Sequence, residues 1–156
     1  TEIPLNLSSF SLRDLLNICI GKLNPSNNKK VVVNLHPDTD ITITADKIHL
    51  INIIDNLLEN AVKYSREDVH IEIDYQEQDN DSIRISVKDN GLGISKSDSR
   101  HIFEKFYRSR AVIDKGIPGM GLGLTYVRML VEAHRGTIRI ESEQTSGSTF
   151  IIELPQ

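Results

Sequence analysis

The stretch 45–63 constrains the fold most, because it is the longest run of helical periodicity in the chain and has two chemically different faces. At 3.6 residues per turn, its apolar side chains fill one broad arc, which has to pack against a core. This arc comprises Leu50, Ile51, Ile54, Leu57, Leu58, Ala61 and Val62, and the opposite arc carries Asn52, Asn56, Glu59, Asn60 and Lys63. Such a helix predicts a layered domain with the apolar arc turned inward.

The polar arc of this helix allows two interpretations. An exposed helical face usually carries glutamate, lysine and arginine, whereas this one carries three asparagines, which are weak helix formers. It is either a solvated face or the polar wall of a nucleotide site. For a nucleotide site, an asparagine oxygen is a hard, neutral ligand suited to Mg²⁺. Lys63 lies three residues after Asn60, so both side chains reach the same patch.

The rest of the chain alternates between helical and strand-like periodicity. Helices are predicted over 11–22, with Ser11 as the N-cap, over a short stretch near 96–103, and over 121–134, with Gly136 as a left-handed C-cap. Strands are predicted as three hairpins: 31–35 with 41–43, then 69–89, then 137–141 with 149–154. This order predicts an α+β fold, in which helices cover one face of a mostly antiparallel sheet.

A carboxylate and two glycines follow the second predicted hairpin, in residues 89–94 (DNGLGI). One interpretation is an ordinary Asn-Gly turn. The other is base recognition, because a buried Asp89 would accept a hydrogen bond from the exocyclic amine of adenine. Guanine presents an acceptor at that place, and an unpaired buried polar group is unfavourable. The glycines would let the backbone approach the flat ring closely.

A second glycine-rich segment, residues 119–124 (GMGLGL), opens the helix predicted from 121. Glycines at a helix N-terminus expose backbone N–H groups, and the helix dipole there favours anions. Similar strings occur in Rossmann and protein-kinase loops, but the Rossmann motif follows a strand within a βαβ unit. Here the segment follows a long loop and leads into an antiparallel hairpin, so these two interpretations do not fit its context.

Composition excludes several classes of function. The formal net charge of −4 gives no basic surface of the kind that nucleic-acid binding needs, and no apolar run reaches the length of a membrane span. The single cysteine, Cys19, lies in an apolar stretch and is predicted to be a buried thiol, which indicates a reducing compartment. The chain opens on Thr1 rather than methionine, so we expect an excised fragment. None of its five histidines has zinc-ligand spacing.

Four segments, in this order, resemble the conserved boxes of sensor histidine kinases. They are residues 56–65 (NLLENAVKYS, the N box), 89–94 (the first glycine box), 102–108 (IFEKFYR, the F box) and 119–124 (the second glycine box). The closing residues 147–155 match as well, so the resemblance covers the chain from about residue 10 to its end. It implies a single domain over 1–156 with the Bergerat fold, a two-layer α/β sandwich that gyrase, MutL and a class of heat-shock chaperones share.

The resemblance also implies a Mg-ATP site with assigned roles. Asn60 would ligate Mg²⁺, Asn56 would support the metal and phosphates, and Asp89 would read the adenine amine. Lys63 and Arg108 would contact phosphate, and residues 104–120 would form an ATP lid whose base Phe103 and Phe106 anchor. The remaining implied nucleotide contacts are Tyr64, Gly91, Gly93, Ile94, Gly119, Met120, Gly121, Leu122, Gly123 and Leu124.

The partners implied by the resemblance lie outside this chain. The phosphoacceptor histidine belongs to a separate dimerisation domain, and none of the histidines here has its sequence context. A response regulator would receive the phosphate, and the domain itself would be a cytoplasmic monomer without direct membrane contact. Related ATPases and anti-sigma-type serine kinases carry a glutamate where this chain has Asn56, which predicts slow intrinsic ATP hydrolysis. The alternative functions are a nucleotide-gated binding module without kinase output and, disfavoured by Asn56, an ATPase of this fold or an anti-sigma-type serine kinase.

Overall fold

A computed structural model of the chain describes residues 3–23, 29–109, 112–113, 116, 121–143 and 146–156. Within these residues the strands are β1 (Leu7–Ser11), β2 (Lys30–His36), β3 (Thr42–Asp46), β4 (Asp68–Gln78), β5 (Ser82–Asp89), β6 (Thr137–Glu143) and β7 (Gly147–Pro155). The helices are α1 (Leu12–Gly21), α2 (Lys47–Lys63), α3 (Lys96–Ser99) and α4 (Gly123–Ala133). The loop predicted at 24–28 lies outside the described residues.

The main sheet has five strands in the order β2-β4-β5-β7-β6. The β2–β4 pair is parallel and the other three pairs are antiparallel. Alternation along β4 leaves one face buried, with Val69, Ile71 and Ile73 inside, and the other face open. The predicted class is therefore confirmed as a two-layer arrangement with helices on one face of a mixed, mostly antiparallel sheet.

The prediction of a hairpin between residues 31–35 and 41–43 is wrong. Both segments are strands, but β2 pairs in parallel with β4, while β3 pairs with β1 in a separate two-stranded sheet. Residues 37–40 carry the chain from one sheet to the other. The single proton of the buried Tyr75 hydroxyl is shared between the carbonyls of Thr39 at 2.7 Å and Pro37 at 3.1 Å. Period-two alternation identifies a strand but not its partner, so this pairing was not visible in the sequence.

Helix α2 confirms the two-faced prediction. Leu50, Ile54, Leu57, Leu58 and Ala61 of the predicted apolar arc are buried, together with Ile53, which the prediction omitted. The remaining members of that arc, Ile51 and Val62, are half-buried against the core. The helix begins after Asp46, whose side chain accepts the N–H of His49 at 3.1 Å. The predicted Ser11 cap of α1 is also present, with its Oγ accepting the N–H of Asp14.

Two helix ends differ from prediction. Helix α3 is a single turn that ends at Ser99 rather than continuing towards residue 103. After α4, Arg135 rather than Gly136 takes the left-handed conformation, with φ of 59°. Gly136 is needed for close approach instead, because a Cβ there would lie 2.4 Å from the carbonyl oxygen of Glu153.

Cys19 is buried as predicted, and burial raises the pKa of its thiol to about 12.

Within the ranges that the structure describes, none of the helices combines the length and the apolar character that crossing a membrane requires.

Candidate functional site

A cavity of about 360 Å³ lies between the polar arc of α2 and the two glycine-rich segments. It gathers most of the residues predicted for the site: Asn56, Asn60, Lys63, Tyr64, Asp89, Gly93, Ile94, Arg108, Gly121, Leu122, Gly123 and Leu124. Gly91 and Phe106 do not line it. Gly119 and Met120 lie outside the described residues, as does part of the predicted lid 104–120.

Helix α2 supplies one wall of the cavity. The Nδ2 group of Asn56 donates to the carbonyl oxygen of Asn52 at 2.7 Å, which fixes the amide and leaves Oδ1 available. A Cβ on Gly123 would lie 3.2 Å from that Oδ1, so this part of α2 faces the start of α4. Eight residues later, roughly 12 Å along the helix, the carbonyl of Tyr64 accepts the N–H of Leu92 at 3.1 Å. The wall therefore connects the two glycine-rich segments.

Asp89 ends β5 at the cavity. Its Oδ1 accepts the N–H of Gly91 at 2.8 Å and the N–H of Ser148 at 3.3 Å. Its Oδ2 accepts no hydrogen bond from the described residues and remains an acceptor for a ligand. Burial raises the pKa of this carboxyl above its ordinary value, and the two backbone hydrogen bonds oppose that rise only in part.

The first glycine turn, residues 89–94, is fixed from several sides. Gly91 is buried, and a Cβ there would lie 2.8 Å from the carbonyl oxygen of Tyr64 and 2.9 Å from Oδ1 of Asp89. The N–H of Ile94 donates to the hydroxyl of Ser142 on β6 at 2.7 Å. Gly91 thus holds the turn against α2 from behind the cavity rather than lining it.

Two cations converge on the cavity. Burial lowers the pKa of the Lys63 ammonium, and the positive charge of Arg108 lowers it further. The same Arg108 charge opposes the rise that burial causes in the pKa of Tyr64. Lys63 Nζ lies 5.4 Å from the centroid of the Tyr64 ring. The charge of Glu59, which also borders the cavity, opposes this lowering of the pKa at Lys63. The two neighbouring cations favour an anionic ligand at their own position.

The described part of the second glycine segment, residues 121–124, packs against the backbone of residues 106 and 107. Gly121 has φ of 71°, and a Cβ there would lie 2.5 Å from the carbonyl oxygen of Tyr107. Its own carbonyl accepts the N–H of Phe106 at 3.0 Å. Helix α4 then begins at Leu122 without a side-chain cap, and the N–H groups of its first turn make no hydrogen bond to a described residue beside the cavity.

The predicted packing role of Phe106 is not seen. Its side chain is 64% exposed, and its backbone has φ of 64°, so the residue meets Gly121 through its N–H group and not through its ring. Phe103 does pack inward, with its ring edge-on to Phe150 at a centroid distance of 6.5 Å. The F-box motif did not distinguish the two phenylalanines, because the inward ring is set by a packing partner from a distant segment, here Phe150 against Phe103.

Several lining residues were missing from the predicted set. Ser148, Phe150, Tyr107, Ser109, Val112, Leu92 and Ile102 also border the cavity. Ser148 pairs directly across from Asp89 in the β5–β7 register. Ser148 lies in the predicted final hairpin, but its place beside Asp89 follows only from the pairing of β7 with β5.

Comparison with known proteins identifies the family. Residues 45–156 match the family described as "Histidine kinase-, DNA gyrase B-, and HSP90-like ATPase". The chain is 40% identical over 129 residues to the sensor protein RprX of Bacteroides fragilis, covering 82% of this chain and 25% of that protein. It is 37% identical over 121 residues to the sensor histidine kinase WalK of Bacillus subtilis, covering 76% and 20%. The chain thus spans a quarter or less of these relatives' length.

Solved structures agree with this assignment. Full-length ShkA, crystallised in complex with AMPPNP, superposes with a TM-score of 0.84 at 27% identity, covering 99% of this chain and 32% of that one. The mycobacterial sensor histidine kinase MprB superposes with a TM-score of 0.79 at 24% identity, covering 96% and 97%, which supports the fold alone. The chain therefore belongs to the histidine kinase-, DNA gyrase B- and HSP90-like ATPases, and within them to the ATP-binding catalytic domains of sensor histidine kinases.

Proposed function

We propose that this domain binds Mg-ATP and donates the γ-phosphate to a histidine on a separate phosphoacceptor domain, which passes it to a response regulator in the cytoplasm. One observation carries the proposal. A single cavity joins a half-buried carboxylate acceptor, two cations and an uncapped helix start along one face of α2. The roughly 12 Å between its Asn56 and Tyr64 ends gives room for a purine at one end and a phosphate chain at the other.

The base binds at the Asp89 side. Oδ2 of Asp89 accepts the exocyclic amine of adenine, while Oδ1 is held by the N–H groups of Gly91 and Ser148. Tyr64 borders the same cavity, and its carbonyl accepts the N–H of Leu92 in the first glycine turn. Because the carboxylate is held by backbone groups, it needs no rearrangement when the amine arrives, and that pre-organisation favours affinity.

The phosphates bind between α2 and α4. Lys63 and Arg108 supply positive charge, and the N–H groups of the first turn of α4 supply donors. Charge neutralisation and alignment are the main contributions of a protein to phosphoryl transfer. These groups therefore bind the phosphate chain and hold the γ-phosphate in position for an external nucleophile.

The α2 wall fits a magnesium ion. The side chain of Asn60 borders the cavity and makes no hydrogen bond to another described residue, and Oδ1 of Asn56 is left available by the bond that its Nδ2 makes to Asn52. Mg²⁺ prefers such oxygen ligands and shares its coordination with phosphates. When bound, the ion neutralises charge on the transferring phosphoryl group. Asn60 and Asn56 would hold it.

No strong base lies at the Asn56 position, because an amide has no useful basicity. Glu59 also borders the cavity, but it is rotated by about 100° from Asn60 around the helix axis. The proton acceptor for the attacking group therefore has to come from the partner domain. The isolated domain is expected to hydrolyse ATP slowly, and turnover at several per second would contradict this assignment.

The test is transfer of label from γ-labelled ATP to a separately purified phosphoacceptor domain of a sensor kinase. Acid-labile label on histidine, dependent on this domain and on Mg²⁺, is expected. Tight ATP binding without any transfer would instead support a nucleotide-gated binding module. Calorimetry with Mg-ATP, Mg-ADP and Mg-GTP accompanies the experiment, and equal affinity for Mg-GTP would contradict the role given to Asp89.

A further inference from the structure

Three polar residues stand side by side where β5, β7 and β6 meet the first glycine turn. Ser148 on β7 pairs directly across from Asp89 on one side and from Ser142 on the other. Directly paired residues of an antiparallel sheet place their side chains on the same face. The three side chains therefore form a row on the side of the cavity, although Ser142 does not border the cavity itself.

The hydroxyl of Ser142 makes three contacts, which together account for its whole hydrogen-bonding capacity. It receives the N–H of Ile94 at 2.7 Å, lies 2.9 Å from the carbonyl oxygen of Gly147, and lies 2.9 Å from Oγ of Ser148. A serine hydroxyl has one proton and two acceptor sites. A carbonyl oxygen only accepts, so the Ser142 proton points to Gly147. The contact with Ser148 is then one in which Ser148 donates.

The direction of the Ser148 proton has a consequence for the cavity. Ser148 is buried and borders the cavity, and the only proton of its hydroxyl is committed to Ser142. A ligand group that reaches this hydroxyl therefore meets lone pairs and not a donor. Asp89 lies directly across from Ser148 and its Oδ2 also accepts, so these two residues together offer acceptors and no side-chain donor.

We propose that Ser142 is a positioning residue that fixes the direction of the Ser148 proton and so makes the Asp89 side of the cavity accept hydrogen bonds only. The inference rests on the proposed ATP site and extends it, since it assigns part of the selectivity for an amine-bearing base to a residue that does not touch the nucleotide. The bond from Ile94 to Ser142 ties the first glycine turn to the same hydroxyl.

The experiment compares calorimetric affinities for Mg-ATP and for the magnesium complex of purine riboside triphosphate, which lacks the amine. The wild type is expected to prefer ATP. In Ser142→Ala, the Ser148 proton is released to donate towards the ligand, so the affinity ratio between the two nucleotides is expected to fall roughly two- to tenfold, the scale of one hydrogen bond. A general loosening of the site lowers both affinities and leaves the ratio unchanged.

Matched variants make the result specific. Ser142→Thr keeps the hydroxyl and is expected to restore the ratio. Ser86→Ala removes a hydroxyl from the open face of β5 and is expected to leave the ratio as in the wild type. If Ser142→Ala does not fold, Ser148→Ala removes the acceptor directly with Ser142 intact, and the same fall is expected.

Two outcomes overturn the inference in distinguishable ways. An unchanged ratio in folded Ser142→Ala, or in Ser148→Ala where that variant replaces it, overturns the role of Ser142 and leaves the ATP site in place. Failure of the wild type to bind either nucleotide overturns the proposed function and this inference together.

Discussion

The two glycine-rich segments border the same cavity but are held in different ways. The first glycine turn is bound by α2 through Tyr64, by β6 through Ser142 and by β7 through Ser148. The described part of the second segment is held by the backbone of Phe106 and Tyr107 and continues directly into an uncapped helix. Base recognition thus rests on the sheet and α2, whereas the position of the phosphate-binding segment depends on the backbone conformation of residues 106–107.

This difference predicts that the two sides can be damaged separately. Changes at the first turn should weaken adenosine and ATP alike, because both ligands carry the base. Changes at the second segment should weaken ATP and leave adenosine unaffected, because adenosine has no phosphates. The following variants test this division, from the largest expected effect to the smallest.

The largest effects are expected from added methyl groups at the two glycines. In Gly91→Ala the new Cβ meets backbone and carboxylate oxygens at 2.8–2.9 Å, so adenosine and ATP binding should both be lost. The free energy of unfolding should fall by about 1–3 kcal/mol, as for other overpacked sites. In Gly121→Ala the new Cβ meets the Tyr107 carbonyl, so ATP affinity should fall while adenosine affinity is kept. Calorimetry and thermal unfolding measure both.

Gly21→Ala is the control for these two variants. Nothing lies within 4 Å of a Cβ at Gly21, which ends α1. Alanine there should leave both affinities unchanged. The free energy of unfolding should stay the same or rise slightly. Loss of adenosine binding in Gly121→Ala would contradict the division between the two sides.

Asp89→Asn should reduce adenosine and ATP affinity by roughly ten- to a hundredfold, because an amide can turn a donor towards the adenine amine. Its matched control is Asp74→Asn, an exposed carboxylate on β4. Unchanged affinity in Asp89→Asn would remove Asp89 from base recognition.

The same carboxylate predicts a pH dependence. Protonation of Asp89 and acceptance of the adenine amine exclude each other, so affinity should fall as pH decreases through the pKa of ligand-free Asp89. Burial raises that pKa, so the affinity should begin to fall at a higher pH than for an ordinary aspartate. At pH values well above the pKa the affinity should be constant. Asp89→Asn should lack this component, and calorimetry of both proteins across the acid range isolates it from the titration of the nucleotide.

Asn60→Ala should act on the phosphate side alone. We expect the Mg²⁺-dependent part of ATP affinity to fall at least roughly tenfold, the scale on which even outer-shell partners of a metal act, with adenosine affinity unchanged. Asn52→Ala is its control, since Asn52 lies on the same arc of α2 outside the cavity and its contact to Asn56 uses only backbone. Equal ATP affinity with and without Mg²⁺ in the wild type would contradict the metal role.

The smallest effect is expected at Lys29, whose ammonium donates to the carbonyls of Val62, Lys63 and Ser65 at the end of α2. Lys29→Met removes a cation from a helix C-terminus, which should lower unfolding free energy by about 0.3–1 kcal/mol. Because Tyr64 in the same turn anchors the first glycine turn, adenosine and ATP affinity should fall together by a few-fold. Lys30→Met, on an exposed position of β2, should change neither.

The sequence determined the local elements and the chemistry of the site. Helical periodicity located α2 and its polar arc, period-two alternation located the strands of the main sheet, and the glycine segments marked two turns beside that helix. These properties depend on residues close together in the chain, where propensity and amphipathic pattern act directly. The order of the boxes then identified the family before any contact was known.

Only the tertiary structure decided the pairings. Whether β2 joined β3 or β4, whether Phe106 or Phe103 turned inward, and whether Ser142 and Ser148 stood beside Asp89 all depended on packing between distant segments. A strand carries the same alternation whichever neighbour it takes, and a serine has one proton that only its surroundings can direct. The residues of the site were therefore readable from the sequence, but the hydrogen bonds that hold them in place were not.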